Sequence, residues 1–271
     1  MQDLRHYDTL ILSDLHLGSE ISRAAEALEL LRNSSFQRLI LLGDIFCDLD
    51  FSRLKKEHWH FLSYIRKLSN PKRKIEVVWV EGNHDHGISA VLSHLMGVPV
   101  YQQYVWNYQG VRHLAIHGHQ FDRFVINNRF LSRLGEMAFL QIQKWGSDRK
   151  LFARYLDRLN TRWLRLSQKV AQGALGYAKQ GKAERVFCGH THVAMHVERD
   201  GVAYYNSGSW IDTKCTYISV AEEGVTIHEY DGTRVEHRDP GEERVPALAA
   251  PLGLDLQTGL PGIAAYESVR C

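Results

Sequence analysis

DTLILSDLHLG, residues 8–18, runs from an apolar core straight into polar, chemistry-bearing side chains. Its β-rich centre reads as a strand, and the same transition recurs in RLILLGD (38–44) and IEVVWVEGN (75–83). Helical patterns near 20–32 and 53–69 separate the three segments. Strand and helix in alternation predict an α/β fold.

Beyond residue 100 the pattern changes. YQQYVWNY and VRHLAIHG flank Gly110, and MHVERD and VAYYNSG flank Asp200-Gly201, a strong hairpin-turn signal. A second, antiparallel sheet is expected there. Between these strands, residues 121–182 show helical periodicity, no proline, and thirteen Lys/Arg against four Asp/Glu, which reads as an inserted helical cap. Residues 1–237 form one domain carrying that cap, and 238–271, rich in Pro, Gly and small residues, reads as a tail.

The 33 Lys+Arg and 31 Asp+Glu leave a formal charge of +2, so no global field calls for nucleic acid. Four cysteines without a CxxC pair suit a reducing compartment, and the N-terminal stretch has no long apolar run. A cytoplasmic location is expected.

Five clusters carry the chemistry: SDLH (13–16), GDIFCD (43–48), GNHD (82–85), HGH (117–119) and GHTH (189–192). Each follows an apolar strand-like run, and loops beyond strand ends of an α/β sheet converge on one crevice. Imidazoles, carboxylates and an amide oxygen suit borderline-to-hard cations, manganese first, with iron or zinc as alternatives. Alternation along a strand lets Asp14 and His16 project together, and likewise His190 and His192. Two divalent ions roughly 3.5–4 Å apart can generate a nucleophile at neutral pH and stabilise charge on phosphoryl oxygens. His84, oriented by Asp48, is placed to protonate the leaving oxygen, although an aspartate at 48 can also simply cap a helix.

DxH, GDx(n)D, GNHD, a later His and GHxH, in this order, resemble the calcineurin-like metallophosphoesterase superfamily over residues 8 to about 220. The resemblance implies a β-sandwich flanked by helices and two divalent metal ions. One would be bound by Asp14, His16, Asp44 and His192; the other by Asp44 as bridge, Asn83, His117 and His190. SDLHLG, the position of the cap, and a GSW after the GHTH hairpin further resemble the UDP-2,3-diacylglucosamine diphosphatases of lipid A biosynthesis. That likeness implies a lipid-linked nucleotide-sugar substrate, cleaved to UMP and 2,3-diacylglucosamine 1-phosphate. It also implies a peripheral position on an anionic membrane surface, the inner membrane.

Asp122, Arg123, Asn127 and Arg129, nearest the HGH loop, are the candidate substrate contacts. His84 departs from the arginine some members of the diphosphatase family carry and matches the wider superfamily. A soluble phosphodiesterase, nuclease or phosphomonoesterase is therefore the alternative, and a non-catalytic binding scaffold a third reading. His58, His60, His94, His113, His196 and His228 lie outside the motifs and read as structural. His86 and His119 lie beside ligands but are not assigned to the metals, and Cys47 and Cys188 read as small buried hydrophobes.

Overall fold

A computed structural model describes residues 5–87, 89–122, 149–212, 214–230 and 235–237. Most of the expected cap before residue 149, including Arg123, Asn127 and Arg129, lies outside the described residues, as does the expected tail.

The described strands form two sheets. In the first, β1 (Arg5–Leu12), β2 (Ser34–Leu42), β3 (Glu76–Val80) and β4 (Val100–Tyr101) run parallel. The second holds β5 (Gln103–Tyr108), β6 (Val111–Ile116), β7 (Arg185–Cys188), β8 (Met195–Arg199) and β9 (Val202–Asn206), in the order β5-β6-β7-β9-β8. Antiparallel β10 (Cys215–Ala221), β11 (Gly224–Tyr230) and β12 (Val235–His237) complete the first sheet, whose order is β12-β11-β10-β1-β2-β3-β4.

Alternating side chains explain the layering. On one face of the first sheet Leu10, Leu12, Leu39, Leu41, Val77 and Trp79 pack against helices α1 (Ala24–Arg32) and α2 (Lys56–Leu68). These helices bury Ala24, Ala27, Leu28 and Leu31, and His58, Phe61, Leu62 and Ile65, the i, i+3, i+4, i+7 spacing of one helix face. On the other face Ile11, Ile40, Leu42, Val78 and Val80 meet Trp106, Ala115, Phe187 and Tyr205 of the second sheet. A short helix, α3 (Ser89–Met96), precedes β4. The result is a mixed α/β sandwich of two sheets flanked by helices.

Two expectations need correction. The hairpins form, with left-handed Gln109 and Gly110 between β5 and β6, and Asp200 and Gly201 between β8 and β9. The second sheet is nonetheless mixed, because β7 pairs parallel with both β6 and β9. A parallel return needs a crossover, and β7 returns after the 32-residue helix α4 (Arg149–Gln180). The C-terminal half of α4 is also not a cap. Ala171, Ala174, Leu175 and Ala178 are buried with Leu114, Ile116, Val186 and Tyr204, forming the helical layer over the second sheet. No helix among the described residues is long and apolar enough to cross a membrane.

Candidate metal centre

The loops after β1 and β2 extend the parallel pairing beyond the strands. Asp14 N–H donates to the Gly43 carbonyl (3.0 Å), His16 N–H to Asp44 (3.0 Å), Leu17 N–H to Ile45 (2.7 Å) and Cys47 N–H to Leu17 (2.9 Å). These bonds fix side by side two loops that carry candidate ligands. The GHTH loop joins them through its backbone, His190 N–H donating to both Asp14 carboxylate oxygens at 3.2 and 3.1 Å.

β1 ends at Leu12, so strand alternation does not aim Asp14 and His16. Both stand in the left-handed region, at φ 51° and 48°, with Leu15 buried between them. Asp44, His190 and His192 share this conformation, at φ 51°, 69° and 56°. A non-glycine residue there costs on the order of 1–3 kcal/mol, and such strain gathers at functional sites. The backbone hydrogen bonds and buried residues between the ligands hold it in place.

Among the described residues two groups of candidate ligand atoms result, Asp14–His16–His192 and Asp44–His117–His190, the atoms of each lying within 4.8 Å of one another. His192 Nε2 is 3.2 Å from Asp14 Oδ1 and 3.2 Å from His16 Nε2, and His117 Nε2 is 3.2 Å from Asp44 Oδ2. Asn83 Oδ1 lies 3.1 Å from His190 Nδ1, beside the second group. His117 Nδ1–H donates to the Leu42 carbonyl (2.8 Å), since a carbonyl can only accept. Its Nε2 is therefore turned into the cluster, fully buried and 3.2 Å from Asp44 Oδ2, yet outside hydrogen-bond geometry to it. A buried nitrogen left open among carboxylates and imidazoles fits a divalent cation.

Electrostatics point the same way. Burial opposes charge on Asp14 and Asp44, yet His192 for the one and His117 and His84 for the other hold both carboxyls below their ordinary range. Burial likewise opposes charge on His117, but Asp44 and Asp14 overcome it and push its pKa up to about 9. His16 goes the other way, to about 3, through burial and the neighbouring His84 and His192. A cation bound here displaces such protons and satisfies the same carboxylates.

His84 stands over the cluster, its ring centroid 5.0 Å from that of His16 and its Nε2 3.8 Å from Asp44 Oδ2. Its expected orienting partner, Asp48, is corrected by the structure. His84 Nδ1–H donates to the Cys47 carbonyl at 2.6 Å, while Asp48 binds Arg53 and the Asp50 backbone N–H. The residue next to Asp48 does the orienting because its backbone, not a side chain, faces the ring. Asp122 is buried and sits 3.3 Å from His190 Nε2. His119 lies near His117, at 5.6 Å between ring centroids, and His86 pairs with Glu81 at 3.3 Å.

Two supporting residues escaped the sequence reading. Asp85, the last residue of GNHD, accepts from Ile45 and Phe46 N–H (3.1 and 2.9 Å), locking the turn after Asp44. Burial and the Asp44 charge push its pKa up to about 6. Asn206 donates to the Gly189 carbonyl (2.7 Å) and accepts from Gly208 N–H (3.0 Å), tying GHTH to the following turn. An amide at a strand end ahead of Ser-Gly was the available signal. The GSW segment itself is scaffold: buried Trp210 donates its backbone N–H to the Asp14 carbonyl (3.0 Å), and its carbonyl accepts from the Arg23 backbone N–H (2.9 Å).

A family model described as the calcineurin-like phosphoesterase superfamily domain matches residues 8–221. No curated protein matches the chain in sequence. Among solved structures, the chain resembles Vacuolar Protein Sorting 29 from Cryptosporidium parvum at 14% identity, covering 86% of this chain and 96% of that one, with a TM-score of 0.49. It also resembles Yfce, a phosphoesterase from E. coli, at 15% identity, covering 84% and 95%, with a TM-score of 0.47. A third, described as a novel archaeal phosphodiesterase, is 14% identical over 82% of this chain and 98% of that one, with a TM-score of 0.45.

Proposed function

The chain belongs to the calcineurin-like phosphoesterase superfamily and is a metal-dependent hydrolase; from that premise we propose that it works with two divalent ions, manganese foremost. The observation that carries the count is the pair of ligand groups, Asp14–His16–His192 and Asp44–His117–His190. Asp44 would bridge them, and Asn83 would complete the second. When bound, such ions supply the nucleophile and neutralise charge developing on phosphoryl oxygens.

The chain's own residues do the rest. Asp14 and Asp44 anchor the two halves, and the backbone bonds around them hold the ligand atoms in place before substrate arrives. His84, with Nδ1–H fixed on Cys47, keeps Nε2 turned to the site, where it can give a proton to the leaving oxygen.

For the substrate we propose the diphosphate of UDP-2,3-diacylglucosamine, met at an anionic membrane surface. Its support is in the sequence: SDLHLG and the basic insertion between HGH and GHTH. The GSW turn gives no support, because it serves the Asp14 loop. His84 favours the second reading, a phosphodiester without lipid.

The test is release of UMP from UDP-2,3-diacylglucosamine with manganese and with chelator, beside a bis-aryl phosphodiester. Chelator-sensitive UMP release is the expected result. Turnover of the aryl ester alone overturns the lipid substrate and leaves the hydrolytic centre standing.

A further inference from the structure

We infer that Asp122 is a positioning residue, bracing His190 so that the imidazole meets a metal ion through Nδ1. This rests on the two-ion reading above and departs from the sequence expectation that Asp122 touches substrate.

His190 lies between two oxygens. Its Nε2 is 3.3 Å from Asp122 Oδ2 and its Nδ1 is 3.1 Å from Asn83 Oδ1. A neutral imidazole has one proton for these two contacts, and an ionised carboxylate can only accept. The carboxylate is the stronger acceptor of the two, so a proton on Nε2, donated to Asp122, is the arrangement that leaves Nδ1 open to a cation. Nδ1 then presents its lone pair beside the Asn83 oxygen, an arrangement of two acceptors that a cation reconciles. A carboxylate behind a ligating histidine fixes tautomer and ring orientation and raises the basicity of the ligating nitrogen.

Geometry makes the brace specific. Asp122 closes the single turn His119–Phe121, donating its N–H to the His119 carbonyl at 3.1 Å, so the segment that carries His117 also carries the brace. Phe121 in that turn packs against Tyr177 of α4, ring centroids 5.9 Å apart. His190 is held from its other side by the Asp14 carboxylate, which accepts its backbone N–H. Side chain and backbone of His190 thus answer to different carboxylates.

The test uses the full chain. In manganese titrations, wild type is expected to take up two ions; Asp122→Ala is expected to keep the first and bind the second 10- to 100-fold more weakly. Asp122→Asn, which keeps size and a neutral acceptor, falls between them and serves if the alanine variant does not fold. In zinc-loaded wild type, nitrogen NMR is expected to show His190 protonated on Nε2 and bound through Nδ1. Unchanged affinity for the second ion in both variants overturns the inference, as does binding through Nε2. A raised KM with metal affinity intact returns Asp122 to the role of substrate contact. If wild type binds a single ion, the two-ion reading fails, and the His190 proton position still decides the role of Asp122.

Discussion

Gly189 has no room for a side chain, since a Cβ there would collide with the Asp14 carboxylate and the Ser13 hydroxyl. Gly189→Ala is expected to displace Asp14 and abolish metal-dependent turnover, with metal content read by elemental analysis; full metal content would contradict this. Asn206 is a second single-residue dependency. Asn206→Ala leaves the buried Gly208 N–H without its 3.0 Å acceptor, while the Gly189 carbonyl keeps Thr191 N–H at 2.8 Å, a loss expected to cost about 1–3 kcal/mol in denaturant unfolding. The side chains gathered into the two candidate groups were legible in sequence because metal binding calls for particular donor atoms. Their left-handed backbone was not, because Asp and His, though enriched in that region, adopt it at only a minority of positions. The orienting partner of His84 was missed for a related reason: any residue at position 47 presents the same carbonyl.

At the scale of elements, α4 ties the second sheet to the site. Gly173 in mid-helix forgoes about 1 kcal/mol of helix propensity relative to Ala. A Cβ there would come within 2.7 Å of the Phe121 ring, next to Asp122. Gly173→Ala is therefore expected to gain nothing in melting temperature and to weaken binding of the second ion; a stabilised variant with unchanged metal affinity would contradict the coupling. β6 carries a pH dependence of its own. His113 donates Nδ1–H to the Val111 carbonyl (2.9 Å) and accepts from Arg185 at Nε2 (3.4 Å), stacked on Trp106. Burial, with Arg185 adding to it, pushes its pKa down to about 4. The unfolded chain then binds this proton below about 6.5 while the fold refuses it. Its contribution is whole above pH 6.5 and is lost as pH falls towards 4. Unfolding free energies measured across that window are expected to rise with pH, and His113→Gln is expected to remove that part of the slope.

For the whole molecule, the sequence showed the strand-to-motif transitions because β1, β2 and β3 are buried on both faces and read as continuous apolar runs. The two hairpins were legible in their turns, most clearly at Asp200-Gly201. The parallel pairing of β7 was not, since four short residues, RVFC, say nothing of their neighbours. Nor could periodicity separate the half of α4 that covers the second sheet from a cap, because both are amphipathic helix. What the layers accomplish together is the convergence of loops from both sheets on one point. Asp14 and Asp44 come from the first sheet, His117, His190 and His192 from the second. The most direct measurement is therefore the location of manganese by anomalous scattering in crystals of the full chain. Two ions are expected, one against Asp14, His16 and His192 and the other against Asp44, His117 and His190. A single ion, or ions bound elsewhere, would contradict the account.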